Sequence, residues 1–465
     1  MTDRRALHFN AFVMNTNSHI KHGHWRRPDA RQVDFEDVDL WIDLARTLEE
    51  ARFDALFFAD VTGHYGDADA DYEVYVRHGL QIPSNDPMVL LGALAVVTKD
   101  IGLALTSNVM QNHPFNFARQ ISTLDHISRG RIAWNIVTGM QDNGARNFGL
   151  PQLVDHTERY AWAEEYVDVV YKLWEGSWDE GAVVKDKENG VYADASKVNK
   201  IHHESRRYRV EGPHLPSPSP QRTPLLFQAG SSTAGRLFAA RNAEATFIAA
   251  PDPKVARWQI DQTRALAVEH GREPGDIKFF QGMSFIIGDT EIEANEKAEE
   301  YARWSSQEGV LAHAAVVDRS TGRVYPPETP LKDVDTNTAK GRLEQLRRSI
   351  TDREPLVGDM ANRLTRSDRI VGTPEQIADR IEQWQDAGVD GVNVTNWVLP
   401  GSFEEFAEKV MPVLRERGLA QSDYTPGTLR EKLFGAPRLN ARHPAARYRG
   451  AFSGGSRSKP VAVRA

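Results

Sequence analysis

Residues 131–138, RIAWNIVT, form a short apolar run that ends on a hydroxyl and is followed by Gly139. Successive rather than alternate positions are apolar, which suits a strand buried on both faces. Working outward, seven more such runs occur, at 7–13, 55–60, 101–108, 224–230, 245–250, 277–288 and 391–398. Segments of helical period lie between them. Val38, Trp41, Ala45 and Leu48 share one helix face; Tyr160, Ala163, Tyr166 or Val167, Val170 and Leu173 share another. Thr373-Pro-Glu-Gln376 reads as a capping box with proline in the first helical position, and Gly388 stops that helix. Ser402-Phe-Glu-Glu405 opens a further helix, in which Pro412 is expected to introduce a kink. Eight strand–helix alternations predict an α/β fold, a closed (β/α)8 TIM barrel, with a doubly wound open sheet as the rival.

Two polar, turn-rich segments break the rhythm, at about 175–223 and 306–369. They read as insertions after strands 4 and 7, within a single barrel domain spanning 1–435. Residues 436–465 form a basic C-terminal arm, expected in solvent or against another subunit. The 465 residues carry a net charge of −8, which argues against a nucleic-acid-binding body. No cysteine is present, so disulfides, thiolate metal sites and a cysteine nucleophile are excluded. No signal peptide or membrane-spanning run is evident, and a cytoplasmic location without membrane contact is expected.

In a barrel of this kind the chemistry sits at the C-terminal ends of the strands. Those positions hold Asn15–His19, Asp60, Thr106–Asn108, Asn135, Thr138, Gly139, Gln228–Ser231, Asn396 and Trp397. Hydroxyls, amides and glycine dominate, with one clear carboxylate. Asp60 reads either as a site residue or as a helix cap. Gly230-Ser-Ser232 before a helix reads as a plain helix start or as a phosphate seat, because amide N–H groups and the helix dipole favour an anion there. A metal reading of His19-Ile-Lys-His-Gly-His24 lacks a second ligand cluster, so no metal is expected. His202-His203-Glu204 reads as a solvated turn, and Trp134 and Trp174 as core. A glycosidase would need two opposed carboxylates, which this ring does not offer.

Taken together, these residues resemble the bacterial-luciferase-like flavin monooxygenases, in the branch of nitrilotriacetate and dibenzothiophene sulfone monooxygenases. The carrying motifs are FDALFFAD at 53–60, STLDHISRGRIAWNIVT at 122–138, HTERY at 156–160, YKLWEGSW at 171–178 and QAG at 228–230. NAF at 10–12, HIKH at 19–22, QIPSNDP at 81–87 and REKLFG at 430–435 bring it nearest to long-chain alkane and dimethyl sulfide monooxygenases. The resemblance spans about 7–449.

The resemblance implies reduced FMN (FMNH2) as cofactor, O2 as co-substrate, and transfer of one oxygen atom to a small apolar or xenobiotic molecule: alkane-like, organosulfur or aromatic. Two alternatives stay open: a flavin-N5-oxygen type that cleaves C–S, amide or C–halogen bonds, and a flavin binder without activity. A deazaflavin coenzyme is a third possibility to test. By the same resemblance, Asp60, Thr106, Asn135 and Thr138 face the flavin ring or ribityl chain, with Gly139 and Met140 offering backbone. His156, Tyr160, Ala229, Gly230, Ser231 and Ser232 hold the phosphate end. His19, His313, Tyr65 and Gln81 lie on the catalytic, substrate side. Two residues depart from the alkane enzyme's pattern: Thr16 stands where it has cysteine, and Met140 where it has histidine. No nicotinamide fingerprint is present, so a separate, transient NAD(P)H:FMN reductase is the expected partner, and a homodimer or homotetramer the expected assembly.

Overall fold

The computed structural model describes residues 5–65, 72–230, 232–318, 321–334, 346–347, 350, 352–366 and 369–453. Eight parallel strands close into a barrel: β1 (His8–Met14), β2 (Ala55–Ala59), β3 (Gly102–Asn108), β4 (Ile132–Val137), β5 (Leu225–Gln228), β6 (Ala245–Ile248), β7 (Lys278–Ile287) and β8 (Gly391–Thr395). Ring closure runs through β6 and β7, where Ala245 pairs with Lys278, and through β8 and β1, where Gly391 pairs with His8. All eight expected runs are barrel strands, and the open-sheet rival is excluded by this closure. β7 is ten residues long. Its first half completes the barrel against β8, and its end pairs with the extra strand Arg369–Gly372.

Helices cover the strands. Helix Val38–Glu50 starts where the Asp37 carboxylate accepts the Asp39 amide, and buries Leu40, Trp41, Leu44, Ala45 and Leu48. Val38, expected on that face, is exposed at the first turn. Both reciprocal capping-box bonds of Thr373 and Gln376 are present, and Gly388 turns the chain at φ +94°. The kink expected at Pro412 takes the form of a π turn, Phe406–Val410, immediately before helix Met411–Glu416. The wider turn accommodates a residue that has no N–H to give. Trp134 and Trp174 are buried.

The N-terminal mouth of the barrel is plugged from the far end of the chain. Helix Leu429–Phe434 places Leu429 and Leu433 among Phe57, Ala104, Ala133, Leu225, Phe227, Ala245 and Phe280 inside the barrel. Arg430, on the same helix, grips Glu244 through two nitrogens at 2.7 and 2.9 Å.

Residues 175–223 follow helix His156–Tyr171 and fold into two hairpins, Val183–Asp186 with Val191–Ala193 and His203–Glu204 with Arg209–Val210. His203 is not solvated, as its polar surroundings suggested; it is buried, 2.9 Å from Lys172 Nζ. Residues 436–453 are likewise not a solvated arm. Arg442 pairs with Asp276, His443 is buried against Asn242 O, and Phe452 packs on Gly176. Residues 454–465, which complete the expected arm, lie outside the described residues. No helix among the described residues is long and apolar enough to cross a membrane.

Candidate active site

Over the C-terminal ends of β2 to β5 lies a cleft of about 360 Å³. Strand register builds its floor. Thr106 and Asn135 are direct neighbours across β3 and β4, and Asn135 Nδ2 donates to Thr106 Oγ1 at 3.0 Å. Asn135 Oδ1 is buried with no partner among the described residues, as is Gln228 Oε1 on the next strand. A buried amide oxygen without a donor costs folding free energy, so these two atoms point to a polar ligand that supplies N–H or O–H. Asp60, Thr106, Thr138, Gly139 and Met140 line the cleft itself; Asn135 sits just beneath them. Gly139 adopts φ +75°, and a Cβ there would come within 2.5 Å of Asn108 Nδ2, so the turn after β4 requires glycine.

Two helix starts converge at the other end of the cleft. Ser232 caps helix Thr233–Asn242 by accepting the Gly235 amide at 3.0 Å, and His156 Nε2 lies 3.3 Å from Ser232 Oγ. His156, Arg159 and Tyr160 come from the first turn of the helix His156–Tyr171. A Cβ at Gly230 would lie 2.5 Å from Gln228 Nε2, 2.8 Å from the Tyr160 hydroxyl and 3.0 Å from Gly235 Cα. This glycine-floored cradle with two helix dipoles and a guanidinium is a seat for an anion. Ala229, Gly230 and Ser232 line it; Ser231 lies outside the described residues.

Asp60 precedes a loop rather than a helix, which removes the cap reading. Burial, with Asp86 nearby, pushes its carboxyl up to about 8. The protonated form is therefore the stable one in the folded chain at neutral pH. A carboxyl whose folded pKa exceeds its unfolded value of 3.8 stabilises the fold fully below that value and loses this contribution as pH rises through about 8. Replacing Asp60→Asn should abolish that loss. Thermal melts across this range should show the wild type falling relative to the variant as pH rises, and parallel curves would contradict the assignment.

His19, His313, Tyr65 and Gln81 are brought together, but not on the wall of this cleft. They form a cluster beside it, with Gln141, which does line the cleft, next to the Tyr65 phenol. Gln81 Nε2 donates to His19 O at 2.7 Å, and the Tyr65 and His313 rings lie 4.9 Å apart. His19 packs on Phe12 at 4.9 Å and is held down at about 3 by burial and by His313, hence neutral. Met140 stands exposed at the cleft rim, whereas Thr16 is buried beside His19 and donates to Pro83 O at 2.6 Å. Among the described residues no three His, Cys, Asp or Glu side chains are grouped to hold a metal ion.

Sequence reasoning missed Arg159, Gln141 and His22 as site residues. Arg159 had a usable signal: it follows His156 by three residues in the first helical turn, so both face the same spot. Gln141 had none; His22 stands in the HIKH stretch, but its contact with His313, at the end of a helix far along the chain, has no local pattern.

A parallel barrel with an anion seat and an amide-rich cleft at its C-terminal face has the layout of an enzyme site suited to an anionic ligand. The sequence narrows this further, matching the luciferase-like monooxygenase family over residues 14–391. The chain belongs to that family. It is 42% identical to the long-chain alkane monooxygenase of Geobacillus thermodenitrificans (strain NG80-2), covering 96% of this chain and 98% of the relative. The crystal structure of a long-chain alkane monooxygenase superposes with a TM-score of 0.86 over 97% of this chain and 100% of that one. The dimethyl-sulfide monooxygenase of Hyphomicrobium sulfonivorans is 39% identical over 97% of this chain and 95% of its own length; the crystal structure of DmoA from the same organism, also 39% identical, gives a TM-score of 0.89 over 98% of this chain and 99% of that one. A riboflavin lyase solved with modified FMN and riboflavin is 36% identical, with a TM-score of 0.86 over 96% of this chain and 100% of that one.

Proposed function

We propose that this chain is the oxygenase component of a two-component system. It takes reduced FMN from a separate NAD(P)H:FMN reductase in the cytoplasm and uses O2 to place one oxygen atom on a small apolar molecule of the alkane, organosulfur or aromatic class. The observation that carries this reading is the pairing of an anion seat with two partnerless amide oxygens, that of Gln228 on the cleft wall and that of Asn135 beneath its floor. A flavin mononucleotide needs both: phosphate contacts at one end and donors and acceptors along a polar ring edge at the other. His156, Arg159, Tyr160, Ala229, Gly230 and Ser232 would hold the phosphate; Asp60, Thr106, Thr138, Gly139 and Met140, with Asn135 beneath them, would hold the remainder.

When bound, the reduced flavin would supply the electrons that activate O2, and O2 would supply the oxygen atom that is transferred. The chain's own residues bind, orient and exclude water. Asp60, protonated below about 8, presents an O–H to the cleft. His19, neutral and packed on Phe12, adds no charge to the substrate side, which suits an uncharged substrate. The apolar helix Pro87–Val97 leaves Val89 and Val96 in solvent, which supports assembly as a homodimer or homotetramer.

The test is to mix anaerobic protein and reduced FMN with oxygenated buffer containing an alkane, a thioether or an aromatic sulfone. Product and hydrogen peroxide are then counted per flavin oxidised. Product from at least one class supports the reading; peroxide alone, at the rate of flavin without protein, contradicts it. His19→Ala and His313→Ala should each bind reduced FMN normally while diverting oxygen to peroxide. Undiminished product yield in both would remove them from the oxygen-transfer side.

A further inference from the structure

We propose that Ser18 and His22 are positioning residues that fix which ring nitrogen of His313 carries the proton, so that His313 serves as a hydrogen-bond donor through Nε2. This rests on the reading of His313 as a residue of the oxygen-transfer side. Three side chains form a chain of contacts: Ser18 Oγ lies 2.6 Å from His22 Nδ1, and His22 Nε2 lies 2.5 Å from His313 Nδ1. His22 is 1% exposed and Ser18 4%, so water does not compete for these bonds.

The backbone fixes the relay at both ends. The Gln81 amide donates to Ser18 O at 3.1 Å, and the Ser306 amide donates to His22 O at 2.9 Å. Gly309, in the helix Gln307–His313, lets that helix approach closely. A Cβ at Gly309 would lie 3.2 Å from His22 Cβ. These contacts leave the imidazoles little room to rotate apart.

Hydrogen counting sets the direction of the chain. Burial holds His22 well below the usual imidazole range, helped by the neighbouring His313, His19, Lys21 and His78, so it is neutral with one N–H. Among the described residues, the Ser18 hydroxyl hydrogen has one acceptor, His22 Nδ1. If Nδ1 accepts, the His22 proton is on Nε2 and is given to His313 Nδ1. An imidazole that accepts on Nδ1 has no hydrogen there, so the His313 proton is on Nε2. The reverse direction would leave the buried Ser18 hydroxyl without an acceptor, which folded proteins avoid. His313 thus supports a developing negative charge on oxygen and does not remove a proton.

The test reads tautomers directly, in the full chain without flavin, by 15N imidazole spectra assigned with a His313→Asn variant. The wild type should show His313 Nδ1 as an acceptor and Nε2 protonated. Ser18→Ala and His22→Leu should give mixed tautomers, and His22→Gln, which offers an amide N–H at similar reach, should restore the wild-type pattern. In turnover, His22→Leu should lower kcat on the order of a hundredfold, the lower end of what a positioned proton donor contributes, with KM and FMN affinity unchanged. His22→Gln should recover most of it. A protonated His313 Nδ1 in the wild type, or an unaltered tautomer in both Ser18→Ala and His22→Leu, would overturn the proposal. Absence of any oxygenation by the wild type would count against the proposed function instead, and the spectra would still decide the relay.

Discussion

Replacing Gly230→Val is expected to weaken reduced-FMN binding by at least about a hundredfold, from the loss of two charge-assisted hydrogen bonds worth about 1.5–3 kcal/mol each. The added side chain enters the anion seat at its tightest point. Its Cβ would meet Gln228 Nε2 at 2.5 Å and the Tyr160 hydroxyl at 2.8 Å. Both are ends of side chains and can move, but only by leaving the seat they help form. Gly235 Cα, at 3.0 Å, is backbone and moves only with the start of helix Thr233–Asn242, whose amides face the anion. The barrel below is untouched, so the thermal melt without flavin should change little. Flavin fluorescence quenching under anaerobic conditions gives the affinity. Wild-type affinity in Gly230→Val would place the phosphate elsewhere.

Arg430→Met is expected to destabilise the fold by about 3–5 kcal/mol, because it strands a buried carboxylate. Arg430 and Glu244 are both buried, and the guanidinium also donates to Thr223 O at 3.0 Å and Pro224 O at 2.8 Å. Glu244 Oε2 in addition accepts the Leu226 amide at 3.1 Å, so it cannot swing out to water without breaking the start of β5. The double variant Arg430→Met/Glu244→Gln should recover much of the loss, since no charge is left behind. Urea unfolding of the three proteins distinguishes these cases. Equal midpoints for wild type and Arg430→Met would show that the plug helix contributes little to closing the barrel. The pair lies at the mouth opposite the cleft, so FMN affinity of the folded single variant should match the wild type.

The barrel was legible because its strands are buried on both faces and therefore read as unbroken apolar runs. Glycine and cap residues marked the helix ends for the same local reason. The errors share a different cause. His203 and His443 look polar and solvated in sequence, yet each is buried against a distant partner: His203 by Lys172, His443 by Asn242. Val38 lies in the right period but at the first turn, outside the covered face.

The cleft residues followed from one rule, that barrel chemistry gathers where the strands end, and Thr106, Asn135 and Gln228 stand there. The neighbouring cluster had no local pattern at all. Its members come from the loop after β1, the loop after β2, the segment before helix Pro87–Val97, and the helix ending at His313. Only the family resemblance pointed to His19, Tyr65, Gln81 and His313 together, and it left out His22, which joins Ser18 to His313.

The most direct test of the central claim is an anaerobic titration of the protein with reduced FMN and, separately, with reduced riboflavin, which lacks the phosphate. The seat formed by His156, Arg159, Tyr160, Gly230 and Ser232 predicts saturable, one-to-one FMN binding. Riboflavin should bind at least about a hundredfold more weakly, the lower end of the worth of two charge-assisted hydrogen bonds. Equal affinity for both, or no saturable binding of either, would contradict the assignment of this cleft to a flavin mononucleotide.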